Sequence, residues 1–115
     1  MSTDSTDLLQ GTLGLLILKA LLNGRAAHGY GVARWIEATT DDTLRIEEGS
    51  LYPALRRLED RGWVTSEWGL SENNRRARYY TITPAGREHV RAEGRAWLKH
   101  AAAVATVLRA APAIG

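Results

Sequence analysis

The chain predicts a mainly α-helical fold with one small β-hairpin and a long closing helix, and three observations carry this. Leu51, Leu55 and Leu58 stand at i, i+4 and i+7, the buried stripe of a short amphipathic helix. The stretches 63–68 and 78–83 are aromatic and alternating, and they flank a polar segment loaded with Asn and Arg, as a hairpin requires. Beyond Pro84, the residues Val90, Gly94, Trp97, Ala101, Val104 and Leu108 recur at 4-3-4-3-4 spacing, the seam of a helix pair. A chain of 115 residues has room for one core and not for two.

Residues 1–7 are small and polar and are expected to form a loose tail. Asp7 suits the N-cap of a first helix over 8–22, which Asn23-Gly24 ends. That helix is apolar on two faces, with Leu9, Leu13, Leu16 and Ala20 on one and Leu8, Leu15, Leu18 and Leu22 on the other. Such a helix is buried on two sides, and in so small a domain the second partner is expected to be another subunit. A second helix is expected over 29–39, with Val32, Trp35 and Ile36 facing inward. His28 just before it reads as a boundary residue making one backbone contact, because no other histidine or carboxylate cluster shares its motif. Residues 43–46 alternate polar and apolar and suggest a small third strand.

In the third helix, Ser50 suits the N-cap, Pro53 falls in the first turn and Gly62 ends the element. Opposite its leucine stripe lie Gly49, Pro53 and Arg56, flanked by Tyr52 and Arg57. The hairpin tip is expected over 69–77, where Ser71, Asn73 and Asn74 tolerate turn geometry and Arg75 and Arg76 follow. Tyr79 and Tyr80 read as hairpin packing residues, one of which must face outward. Thr83 as N-cap and Pro84 at the first position open a last helix that runs to about Ala110, roughly 40 Å at the helical rise. Its apolar stripe exceeds what the small core covers, so it reads as a dimerisation arm; folding back on its own domain is the alternative.

A helix followed by an arginine-tipped hairpin is the apparatus with which a winged helix-turn-helix holds duplex DNA. The helix enters the major groove while the hairpin reaches the flanking backbone or the minor groove. Charge follows the same division. Residues 1–48 hold four Lys/Arg against seven Asp/Glu, residues 49–87 hold seven against four, and residues 88–115 hold four against two. Six of the seven cations in the middle block fall into two clusters, Arg56-Arg57-Arg61 and Arg75-Arg76-Arg78. A charge run is ordinarily a solvated face, but these two clusters sit on the two elements that would have to touch DNA.

Other classes find little support. Without cysteine there are no disulfides, thiolate metal sites or cysteine nucleophiles. His28, His89 and His100 fall on separate elements, and no glycine loop, metal-ligand spacing or nucleophile–base pair suggests an enzyme, a metal or a cofactor. The pair Glu47-Glu48 favours the start of the third helix through its dipole. The apolar stretch 13–22 is interrupted by Lys19 and is too short to span a bilayer, and the acidic start (Asp4, Asp7) does not resemble a secretory signal. A cytoplasmic, nucleoid-associated protein is the expectation.

The stretch His28-Gly29-Tyr30-Gly31, the run Gly49-Ser50-Leu51-Tyr52-Pro53-Ala54-Leu55-Arg56-Arg57-Leu58-Glu59 and the pair Tyr79-Tyr80 followed by Thr83 resemble the PadR family of transcriptional regulators. The similarity spans about 8–110, and the segments 66–69 and 71–76 are similar to the short branch described as acidobacterial-type. The resemblance implies a bacterial repressor with a winged helix-turn-helix over 8–84, a dimerising helix over 85–110 and a loose tail over 111–115. It also implies a homodimer on an inverted-repeat operator in double-stranded DNA, released in several branches by a small molecule.

Carried over by position, Ser50, Tyr52 and Arg56 face the groove, Tyr30 reaches a phosphate, and Arg75, Arg76 and Arg78 serve the wing. Pro53 and Arg57 complete the expected DNA surface, and Leu8, Leu15, Val90, Gly94, Trp97, Ala101, Val104 and Leu108 the expected dimer interface. In multidrug-responsive members a tryptophan of the last helix lines an apolar pore between subunits. Trp97 is similarly placed, so an aromatic effector at the dimer interface is the alternative to simple seam packing. The extended C-terminal domain of the longer branch is not seen, which removes the expectation of a phenolic-acid response.

Overall fold

The computed structural model describes residues 11–113. The tail 1–7, the Asp7 cap and the apolar positions Leu8 and Leu9 lie outside them. The elements are α1 (Leu13–Ala20), β1 (Ala27–His28), α2 (Gly29–Thr39), α3 (Glu48–Asp60), β2 (Val64–Leu70), β3 (Arg76–Ile82) and α4 (Pro84–Arg109).

Helix α1 is shorter than the apolar run that announces it. Gly11 and Thr12 form a turn before it, both poor residues for a helix interior, and Leu21–Asn23 form a turn after it. Gly24 then adopts φ +83°, a left-handed conformation that ends the element. Leu13, Ile17, Leu18 and Leu21 are buried, whereas Leu15, Leu16 and Leu22 are only partly covered. The Arg87 guanidinium closes this end by donating to the Leu22 carbonyl at 2.9 Å.

The core is completed by Val32, Ala33 and Ile36 of α2, Leu51, Ala54, Leu55 and Leu58 of α3, and Val64, Tyr80, Ile82 and Val90. Helix α2 has the expected bounds, but Trp35 does not point inward: it is 44% exposed, because Val32 and Ile36 already define the buried stripe.

The sheet has the order β1-β3-β2, and the third strand is not the expected 43–46. Ala27 and His28 supply it by pairing with Tyr80 and Tyr79. In the loop, Asp41 and Asp42 take φ of 51° and 61°, and the Leu44 and Ile46 N–H groups donate to Thr40 Oγ1 (3.1 Å) and Glu37 Oε2 (2.9 Å). Side chains therefore take the donors that a strand ladder would have used. The main hairpin is longer than expected, pairing Val64 with Ile82, Trp68 with Arg78 and Leu70 with Arg76. Its tip shrinks to 71–75, closed by the Ser71 N–H donating to the Arg75 carbonyl at 2.8 Å.

Thr83 caps α4 as expected, its hydroxyl oxygen accepting the Gly86 N–H at 3.0 Å. The first turns of α4 join the core through Gly86 and Val90, and His89 stacks on Trp63 with centroids 3.7 Å apart. Trp97 and Leu98 still line clefts with α1, and beyond them the helix is mostly exposed. The radius of gyration is 16.4 Å, against about 13 Å for a compact chain of this length.

Candidate nucleic-acid interface

Helix α3 starts earlier than its best capping residue. Glu47 is the N-cap, with extended backbone and no side-chain cap bond, and its carbonyl accepts the Leu51 N–H at 2.9 Å. The Ile46–Glu37 bond fixes the chain just before it, and Glu48 adds a favourable negative charge to the first turn. Ser50 consequently lies inside the first turn instead of capping it, and Pro53 lies inside the helix. Proline has no N–H for the carbonyl four residues back, so the Gly49 carbonyl has no helical partner there. Both residues are exposed, where water or a ligand can satisfy it.

Tyr52, Pro53 and Arg56 are exposed along the outer face of α3, opposite the buried leucines. Tyr52 is seated against Gly29: a Cβ on Gly29 would stand 3.0 Å from Tyr52 Cε1 and 3.2 Å from Leu55 Cδ1. The absence of a side chain there is what lets α2 approach α3 and hold the ring. His28 works as read, at a boundary, and does somewhat more. Its Nδ1 accepts the Gly31 N–H at 2.9 Å, and its ring stacks near Tyr30 and meets the Tyr79 ring edge-on. Tyr30 itself is exposed beside Arg34.

Strand alternation puts Ser66, Trp68, Arg76, Arg78 and Tyr80 on one face of the hairpin, the face toward α3. Arg76, expected in the tip, thus belongs to β3 together with Arg78. Arg78 is engaged, its Nε donating to Ser66 Oγ at 2.8 Å and its Nη2 lying 3.4 Å from Glu59 Oε2 on α3. Ser66 in turn donates to the same carboxylate oxygen at 2.6 Å. Arg78, expected to serve the wing, is thus also bonded within its own chain to Ser66 and Glu59. Tyr80 is the inward tyrosine, and burial raises its phenol above the usual value, with Glu59 and Tyr52 adding to the rise and Arg78 opposing it. Tyr79 faces the other way and donates its hydroxyl to the Leu70 carbonyl at 2.9 Å.

Between α3 and the wing lies an open groove of about 660 Å³, lined among others by Tyr30, Tyr52, Trp68, Asn73 and Arg76. Of the residues expected to meet DNA, Ser50, Pro53, Arg56 and Arg75 do not line it, and neither does Arg57. That side chain lines a smaller cleft of about 220 Å³ on the other flank of α3, with Arg61, Trp63 and Trp97. Trp68, for which no role at the site was expected, is 56% exposed in the groove with the Arg76 Cζ 4.5 Å and the Arg78 Cζ 5.5 Å from its ring centroid. Ending β2 at position 68 hid this; the period-two alternation was the available signal.

The seam positions divide as well. Val90 is 7% exposed and packed in its own core, while Trp97, Val104 and Leu108 are open to solvent and Gly94 and Ala101 partly so. Leu98 and Val107, which the spacing passed over, are also exposed. A second, largely apolar groove of about 560 Å³ runs between α1 and α4, lined by Leu15, Leu16, Leu22, Trp97 and Leu98. Among the described residues no helix is long and apolar enough to cross a membrane, and no cluster of three or more His, Cys, Asp or Glu could hold a metal ion.

Three helices on a wing, with an exposed basic helix face and hairpin on one side, define a winged helix-turn-helix protein. Residues 17–92 match the transcriptional regulator PadR-like family, and the chain belongs to it. It is similar in structure to a transcriptional regulator from Clostridium thermocellum, with TM-score 0.76 and 31% identity over 87% of this chain and 96% of that one. A PadR family transcriptional regulator from Eggerthella lenta gives TM-score 0.73 and 30% identity over 92% and 89%. An uncharacterised protein of Lysinibacillus sphaericus is 27% identical over 85 residues, 74% of this chain and 77% of that protein. The chain is thus a DNA-binding transcriptional regulator in class.

Proposed function

We propose that the protein is a homodimeric repressor that binds an inverted-repeat operator in double-stranded DNA. The observation that carries this is the shared groove: Tyr52 of the exposed α3 face and Arg76 of β3, which no carboxylate pairs among the described residues, line it together. In this reading Ser50, Tyr52 and Arg56 meet base edges, with Pro53 allowing close approach, while Tyr30, Arg75 and Arg76 meet phosphates. Arg78 sets the angle of the wing. The free part of α4 pairs with a second copy, presenting two α3 helices about one DNA turn, roughly 34 Å, apart.

The test is a gel shift with DNA from upstream of the protein's own gene, at two salt concentrations and with unrelated duplex as competitor. A competitor-resistant shift that weakens with salt is expected. A shift abolished by competitor would reduce the activity to generic DNA affinity or send the search to another operator. No shift at low salt would overturn the reading.

A second reading adds an aromatic effector at the dimer interface. It is favoured by Trp97, 46% exposed beside the apolar lining of the α1–α4 groove. Titration with aromatic dyes should quench tryptophan emission in the native protein and not in Trp97→Phe, a comparison needed because Trp35, Trp63 and Trp68 also emit.

A further inference from the structure

We infer that Trp68 is a positioning residue for DNA binding, holding the Arg76 guanidinium in place so that its N–H edge is ready for a phosphate. The inference rests on the reading above, that the wing meets the DNA backbone. Trp68 is 56% exposed, so the core does not explain it. It stands opposite Arg78 in the strand pairing and diagonal to Arg76, on the hairpin face that looks toward α3. The Arg76 Cζ sits 4.5 Å from the indole centroid, close enough for a cation–π contact. Stacking occupies the flat face of a guanidinium and leaves its in-plane donors free.

The two arginines at this indole differ in what else they do. Arg78 is committed to Glu59 and Ser66. Among the described residues no carboxylate pairs with Arg76. An unpaired arginine on an exposed strand would ordinarily lose much rotamer freedom on binding a phosphate. Trp68 removes part of that loss beforehand, and Arg78, fixed by α3, keeps the indole from swinging away.

The experiment measures binding of the full chain to a mixed-sequence duplex across a salt series, since phosphate contacts are sequence-independent. Arg76→Ala should weaken binding roughly tenfold and lower the log–log salt slope by about one. Trp68→Ala removes no charge, yet it should weaken binding roughly three- to tenfold, and by less than about twofold when Arg76 is already Ala. Trp68→Phe should retain binding and Trp68→Leu should not, and because both keep apolar bulk this comparison holds even where Trp68→Ala folds poorly.

Native affinity in Trp68→Ala beside a weakened Arg76→Ala would overturn the inference and leave the wing reading standing. An equal loss from Trp68→Ala in both backgrounds would overturn it too, making Trp68 a direct DNA contact. If the unaltered protein ignores the duplex, or Arg76→Ala binds as well as it does, the wing reading falls and takes this inference with it.

Discussion

Arg78 and Glu59 face each other at 3.4 Å and tie the wing to the helix it accompanies, with Ser66 bonded to both. Both side chains are partly exposed, 43% and 33%, so the pair contributes at most about 1 kcal/mol to stability. Its consequence is the angle between β3 and α3, and in the proposed complex that angle sets how far the wing lies from the groove that α3 would enter.

Glu59→Ala should therefore separate affinity from discrimination. It removes a negative charge from the DNA-facing side and frees Arg78, so binding to mixed-sequence duplex should strengthen by about threefold, the order expected for one exposed charge. Preference for the operator over that duplex should fall, because the wing angle is no longer set. Competition binding measures both, and an unchanged preference would show that the angle is fixed elsewhere.

Gly86→Ala should damage the fold although alanine is the better helix former. A Cβ at this buried position collides with the Trp63 carbonyl oxygen and comes within 2.9 Å of Ile82 Cγ1. That carbonyl already accepts the Thr83 N–H at 3.0 Å, and the Thr83 hydroxyl donates to the Gly62 carbonyl at 2.7 Å. The junction has no room to shift. A gain of about 1 kcal/mol in propensity is set against about 3 kcal/mol of overpacking, a net loss of about 2 kcal/mol by urea denaturation. A variant as stable as the parent would show that the junction yields.

Tyr80 predicts a feature of the alkaline limb of stability. Burial raises its phenol above 10.0 in the folded state. The folded protein then holds a proton that the unfolded chain releases, so stability is full below the unfolded value and falls as pH rises from there through the folded value. Tyr80→Phe should be less steep over that interval than the parent. Parallel curves from denaturation at successive pH values would remove Tyr80 as a contributor.

How much of this was legible in the sequence depends on the range of the contact. The bounds of α2 and the start of α4 were readable because their signals are local: His28 as a boundary residue before a helix, and Thr83-Pro84 at a helix entrance. The third strand and the start of α3 were misread for one shared reason. Glu37, nine residues away, takes the Ile46 N–H, which removes 43–46 from the sheet and lets the helix begin at Glu48. For the candidate site, the residue types and their two elements were readable from pattern and charge. The engagement of Arg78 by Glu59, 19 residues distant, was not, because nothing local distinguishes Arg78 from Arg76. Trp35 and Arg57 show the same limit on helices, where one step around the axis decides which neighbour a side chain meets.

Gly94 tests the proposed dimer directly. It lies inside α4, where glycine costs about 1 kcal/mol relative to alanine. A Cβ built on it meets nothing within 4 Å, so no contact described in this chain requires the residue to be small. If a second copy packs there, the missing side chain is what admits it, alongside Trp97 and Leu98. Gly94→Leu should consequently leave folding intact, lower the dimer content in sedimentation at micromolar concentration, and weaken operator binding, which needs both α3 helices at once. Gly94→Ala should fall between the two. A Gly94→Leu protein that sediments as the parent does would place the pairing of α4 on a different face of the helix.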